Sequence, residues 1–268
     1  MRVAVFHQTG FIAPHVVRAL RDRGHDVVDA DAEAVICAQL FTESDAAAAV
    51  DRFRGRTGKL VVLSSGDVYR AYGKLQRTEP GDLEPIPITE DSPLRTVLYP
   101  YRDHPKYATY EKILVERTVM AAPDLPACVL RLPAVYGPGD RHRRFGDWIV
   151  HMLERRASIT IGAGMAGWRW THGYVENVAA AIAVAATDPR TAGSIYNIGE
   201  HETPTMRERI ETLARVLGWT GSIEIVPDTL PLDFRQDMLV STSRFREELG
   251  FSEPFSMAVG LERSAVRS

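Results

Sequence analysis

Three sets of side chains in this sequence could do acid–base chemistry. Ser65, Asp67 and Tyr69 close the run KLVVLSSGDVY, Tyr107, Tyr110 and Lys112 crowd into HPKYATYEKILVE, and His7 and Cys37 each follow a short apolar run. A phenol near an ammonium, or an imidazole, can move a proton near neutral pH, and a hydroxyl can hold a carbonyl or alkoxide oxygen. His7 beside Cys37 offers a sharper variant, an activated thiolate, against the ordinary fate of a strand cysteine as buried and inert. Trp168, Arg169, Trp170 and His172 form either a pocket wall for a planar or anionic substrate or packing between lobes. Ser65 has a simpler role open to it, that of capping its own turn, and the two tyrosines could be surface packing.

These groups need a frame to hold them. Arg2 to Gly24 reads as an apolar strand, a turn at Thr9-Gly10 and apolar residues at helical spacing, the opening of a dinucleotide-type α/β sheet. The stretch resembles the extended short-chain dehydrogenase/reductase family, the NAD-dependent epimerase/dehydratase group, whose members open with strand, GxxGxxG, helix. Here the three glycine slots read His7, Gly10 and Ala13. Three later stretches carry the same resemblance in the same order: SSGDVYRAYG; KILVERTVM to LRLPAVYGPGD; and WRWTHGYVENVA to YNIG.

The resemblance implies a Rossmann-like doubly wound parallel sheet with a small C-terminal substrate lobe. Residues 1–135 and about 171–199 would form the first, and 136–170 and 200–268 the second. It places Ser65 on the reacting oxygen, with Asp67, Tyr69, Pro133, Trp168, Arg169, Trp170 and His172 around the substrate. It implies NAD(P) held at Gly10, Phe11 and Ile12, with Asp29 or Asp31 about 20 residues further on at the ribose. It also implies a possible homodimer through a helix over 106–121.

The chain departs from that pattern in three places. An imidazole at position 7 would project toward the pyrophosphate; Ala13 is a mild change, and Pro14 costs little in a first helical turn. Between Asp26–Asp29 and Ala34–Cys37 only four or so residues remain. Such a link is expected to be too short to cross the first strand, so one β-α unit bordering the adenosine half of NAD should be missing. Aligning on KILVE puts Ala108 where the family has its tyrosine. On a helix starting near Lys106, Tyr107 lies about 140° from Lys112 and Tyr110 nearly opposite it.

The expected function is therefore a small-molecule enzyme with a damaged NAD(P) site, probing cofactor-independent elimination, cyclisation, isomerisation or hydrolysis with Ser65, His7 and a tyrosine–lysine pair. The alternatives are an NAD(P)-dependent epimerase, dehydratase or reductase acting on a sugar-nucleotide or related compound, and a non-catalytic ligand-binding protein. With 268 residues, 45% hydrophobic and 25% charged, the chain has the material for a sizeable core. A net charge of -3 gives no bulk attraction for nucleic acid or anionic membrane. Two cysteines without a ligand spacing argue against a structural metal, and the lack of a long apolar run points to the cytoplasm. The proline-rich segment from Leu75 to Pro105 reads as a binding loop or a cover for the sheet.

Overall fold

The computed structural model describes residues 1–6 and 10–266. In chain order the first half holds β1 (Arg2–Phe6), α1 (Ala13–Asp22), β2 (Asp26–Val27), β3 (Ala34–Cys37), α2 (Glu43–Phe53), β4 (Lys59–Ser65), α3 (Arg70–Leu75), α4 (Lys112–Met120) and β5 (Ala127–Leu132). Then follow β6 (Ala134–Tyr136), α5 (Gly146–Leu153), β7 (Ser158–Gly162), α6 (Ala163–Gly167), β8 (His172–Tyr174), α7 (Val175–Thr187), β9 (Ile195–Asn197), α8 (Met206–Val216), β10 (Ser222–Val226), α9 (Ser243–Leu249) and α10 (Met257–Val266). Six parallel strands form one sheet in the order β2-β1-β3-β4-β5-β9. Strands buried on both faces read as continuous apolar runs, and β3, β4 and β5 do.

One face of the sheet is covered by α2 and α4, the other by α1 and α7. The alanine-rich α7 is buried nearly all round, which its small side chains permit. Its last carbonyls end on the buried ammonium of Lys59, which donates to the backbone oxygens of Ala185 and Asp188 at 2.8 and 2.7 Å. Helix α2 starts at a capping box, Thr42 with Asp45, and α8 at another, Thr205 with Glu208. No helix of the described residues is long and apolar enough to cross a membrane.

The link after β2 corrects one expectation. Both β2 and β3 are strands, and both pair in parallel with β1, on opposite sides of it. Val27 and Ala34 are both level with Val3, so the chain between them travels sideways and has no strand length to retrace. Residues 28–33 can span about 20 Å, whereas the two outer strands are only about 10 Å apart. The need for a long crossover holds for full-length strands, and β2 has two residues. The link carries no helix, and Val28 and Ala32 pack on the face that a crossover helix would have covered.

A second correction concerns α4, which begins at Lys112 and not near Lys106; Glu111 is its N-cap and accepts from Ile113 N at 2.9 Å. Residues ahead of it form turns, so helical angles do not relate Tyr107 or Tyr110 to Lys112. Beyond β5 the chain turns at Gly137, whose φ is +146° and whose absent Cβ would lie 2.6 Å from Val175 Cγ1. Gly137→Ala is expected to lose about 1–3 kcal/mol of stability through strain and overpacking. Urea unfolding checks this, and an unchanged midpoint would show that α7 can yield.

Candidate functional site

Strand β4 delivers the site. Its last residue, Ser65, caps a single 3-10 turn at 66–68 by accepting from Asp67 N at 3.2 Å. That turn places Asp67 in the lining of a cavity of about 290 Å³ at the carboxyl ends of β4 and β5. Crevices at that edge are where parallel α/β sheets take ligands. Ser65, Asp67, Tyr72 and Tyr101 make its polar end; Met165, Trp168, Trp170 and Met238 make an apolar wall, with Pro133 beside them.

Asp67 is the hub of the polar end. Its Oδ2 accepts from the Tyr110 hydroxyl at 2.9 Å and from the Tyr101 hydroxyl at 3.2 Å, and the Tyr101 and Tyr72 hydroxyls are 3.0 Å apart. Its Oδ1 is buried with no hydrogen-bond partner among the described residues. Burial raises the Asp67 carboxyl above the usual range, opposed by Arg95, Tyr110, Lys112 and Ser65. A raised carboxyl with one unpaired oxygen in the wall of a cavity is a candidate for proton exchange.

The tyrosines are sorted by this geometry. Tyr107 is 36% exposed and lies against His104, away from the cavity. Tyr110 is on Asp67, but burial and the Asp67 charge push its phenol well above its ordinary value, so it stays protonated and donates. An ammonium-lowered phenol is thus absent at Tyr110. Lys112 is buried, and its Nζ donates to the backbone oxygens of Leu40 and Leu63 at 2.6 and 2.8 Å, with the Phe41 and Tyr110 rings 5.1 and 5.7 Å from it. Burial brings this ammonium down to about 8.

Other expected residues lie elsewhere. The Tyr69 hydroxyl is fully buried, donating to Asn197 Oδ1 at 2.6 Å and accepting from Arg131 Nη1 at 3.0 Å, so Tyr69 braces the cavity from behind. Arg169 is exposed and is not among the lining residues, its backbone N held by Asp237 at 2.8 Å. His172 is buried against Tyr136, Phe145 and Trp170, its Nδ1 is 2.6 Å from Trp170 O, and burial followed by the Arg209 charge holds it neutral. Cys37 is completely buried and its thiol is pushed up to about 12, which removes the thiolate variant. His7 lies outside the described residues.

At the putting-together of β1 and α1, Gly10 has φ +116°, and its absent Cβ would be 2.8 Å from Gln39 Nε2. Ile12 is the N-cap of α1 with no side-chain cap; Pro14 in the first turn carries no N–H, His15 N donates to Ile12 O at 3.1 Å, and Phe11 packs beside His15. Asp29 is exposed two residues beyond β2, whose last pair sets Val27 level with Val3 and whose ladder goes on with Val28 N donating to Val3 O at 3.0 Å. Asp31 sits at the opposite edge of the sheet, beside Arg2 and Gly55 to Gly58, and cannot serve as the ribose acid there.

Sequence reasoning missed Tyr72, Tyr101 and Arg95. Tyr101 comes from a loop without periodicity, where LYPYR offered only a pair of aromatics in a polar stretch. That loop is tied down: Glu79 accepts from Thr96 N at 2.6 Å and Val97 N at 2.8 Å, and Ile88 bridges to Val240.

A Rossmann-type parallel sheet with an acid–hydroxyl cluster at its carboxyl edge defines the class. Residues 45–199 match the NAD dependent epimerase/dehydratase family, and the chain belongs to that family as an enzyme of the short-chain dehydrogenase/reductase type. The fold is similar to UDP-N-acetylglucosamine 4-epimerase from Bacillus cereus, with a TM-score of 0.76, 16% identity and coverage of 99% of this chain and 98% of that one. It is also similar to RMD from Pseudomonas aeruginosa complexed with NADPH, with a TM-score of 0.74, 17% identity and coverage of 99% and 98%. The uncharacterized protein y4nL of Sinorhizobium fredii is 30% identical over 137 residues, which are 50% of this chain and 37% of that relative.

Proposed function

We propose that the protein moves protons on a compact hydroxyl or carbonyl compound, in an isomerisation, elimination or related step, without using a nicotinamide dinucleotide. The observation that carries this is Asp67: it lines a small, largely apolar cavity, one carboxyl oxygen is held by two phenols, and the other is buried with no hydrogen-bond partner among the described residues. Asp67 takes a proton from carbon or oxygen of the substrate and returns it at a second position. Ser65 donates its hydroxyl to the substrate oxygen as its charge grows, a role worth the most in a site that excludes water. The volume suits a small ring or short chain and not a nucleotide diphosphate sugar.

Gly10 and the uncapped start of α1 fit a pyrophosphate. For the adenosine half there is Asp29, exposed two residues after the short β2, whereas Lys112 is covered and committed to two carbonyls. Calorimetric titration with NAD, NADH, NADP and NADPH is expected to give no binding at millimolar cofactor. Micromolar binding would overturn the cofactor-free reading. It would support the second one, an NAD(P)-dependent epimerase or reductase, which the Gly10 bend and the NADPH complex of the similar RMD favour.

A further inference from the structure

We propose that Arg95 is a positioning residue that assembles the acid–base cluster, joining in one guanidinium the three separate segments that carry Asp67, Tyr101 and Tyr110. This rests on the reading of Asp67 as the proton-transfer group. Arg95 is 4% exposed, and each arm of its fork meets a different piece of chain. Nε donates to the backbone oxygen of Asp67, in the turn after β4. Nη1 donates to Val97 O at 2.6 Å, in the loop that runs on to Tyr101. Nη2 donates to Glu111 Oε1 at 2.9 Å, on the residue that follows Tyr110 and caps α4.

Glu111 completes the joint. It is 0% exposed; Oε1 also accepts from Ile113 N at 2.9 Å and Oε2 accepts from Tyr99 N at 2.6 Å, so the same carboxylate fixes the start of α4 and the loop two residues before Tyr101. Lysine cannot replace this fork, since a point ammonium lacks the fixed planar geometry that reaches three acceptors at once. The groups facing the Asp67 carboxyl are Ser65 from its own turn, Tyr72 from α3, Tyr101 and Arg95 from the loop, Tyr110 from the turn before α4, and Lys112 from α4. After burial, Arg95 is the strongest influence on that carboxyl and the main one favouring its charged form. Loss of the guanidinium therefore removes both the geometry and the counter-charge.

The test needs no substrate. In the full chain labelled with carboxyl-13C aspartate, the Asp67 signal is identified by its absence in Asp67→Asn and titrated in wild type, Arg95→Gln and Arg95→Lys. Amide hydrogen exchange of residues 96–111 is followed in parallel. Arg95→Gln is expected to move the Asp67 midpoint to higher pH and to speed exchange at 96–111 at least tenfold. Arg95→Lys is expected to keep the midpoint near wild type yet show the faster exchange, separating charge from fork; it alone carries the test if the glutamine variant does not fold. A raised wild-type midpoint that Arg95→Gln leaves in place, or wild-type exchange in Arg95→Lys, overturns the assignment. A wild-type Asp67 that titrates in the ordinary carboxylate range overturns the acid–base reading itself, which is a different result.

Discussion

Asp67→Asn is expected to abolish proton transfer and at the same time to stabilise the protein. General acid–base groups contribute roughly 10²–10⁴-fold to rate, and an amide has no proton to exchange at neutral pH. The stabilisation follows from the cost of the charge. Asp67 is buried, its Oδ1 has no partner among the described residues, and its carboxyl is held above the usual range by burial. An asparagine keeps an oxygen for the Tyr101 and Tyr110 hydroxyls and never ionises.

The sign of the pH dependence is fixed by linkage. A carboxyl raised in the folded state keeps its proton where the unfolded chain has already lost it. Its contribution to stability is full below the ordinary carboxylate value of 3.8 and is lost as pH rises through the raised folded value. The advantage of Asp67→Asn over wild type should thus be near zero in acid, grow through that window and then level off. Urea unfolding of both proteins across the acid-to-neutral range measures it. An asparagine variant that is less stable at neutral pH would mean that Asp67 serves structure, and the proposed chemistry would lose its acid.

The same carboxyl shows what the sequence could and could not disclose. KLVVLSS reads directly as a buried strand, because four consecutive apolar residues leave no polar face to turn to solvent, and its exit into Ser65 and Asp67 is local. The partners of Asp67 are not local. Tyr101 lies 34 residues on, and it reaches the carboxyl because Glu79, Arg95 and Glu111 fold an aperiodic loop back on β4. The start of α4 was hidden for a related reason. Its N-cap is Glu111, a residue type that is not a usual cap, and it is fixed there by Arg95 from 16 residues away.

Behind the cavity, removal of the Glu116 carboxylate is expected to cost about 3–5 kcal/mol, the range for a buried pair that loses one partner. Glu116 accepts from Arg131 Nη2 at 2.8 Å and from Ser64 Oγ at 2.5 Å, with Arg131 and Glu116 side chains 3% and 5% exposed. Arg131 Nη1 goes on to Tyr69 and to the backbone oxygen of Glu90, and Tyr69 to Asn197. One guanidinium thus ties α4, β5, the turn after β4 and β9 together directly beneath Ser65. In Glu116→Ala the Arg131 charge remains in a space with nothing to balance it, whereas in the double variant Glu116→Leu with Arg131→Met no charge is left and shape is roughly kept. Urea unfolding should therefore place the double variant above the single one in stability. If Glu116→Ala costs under about 1 kcal/mol, water reaches Arg131 and the pair is not the sealed joint described. If instead the double variant is the less stable, the hydrogen bonds to Tyr69 and Glu90 hold the cavity floor more than the ion pair does.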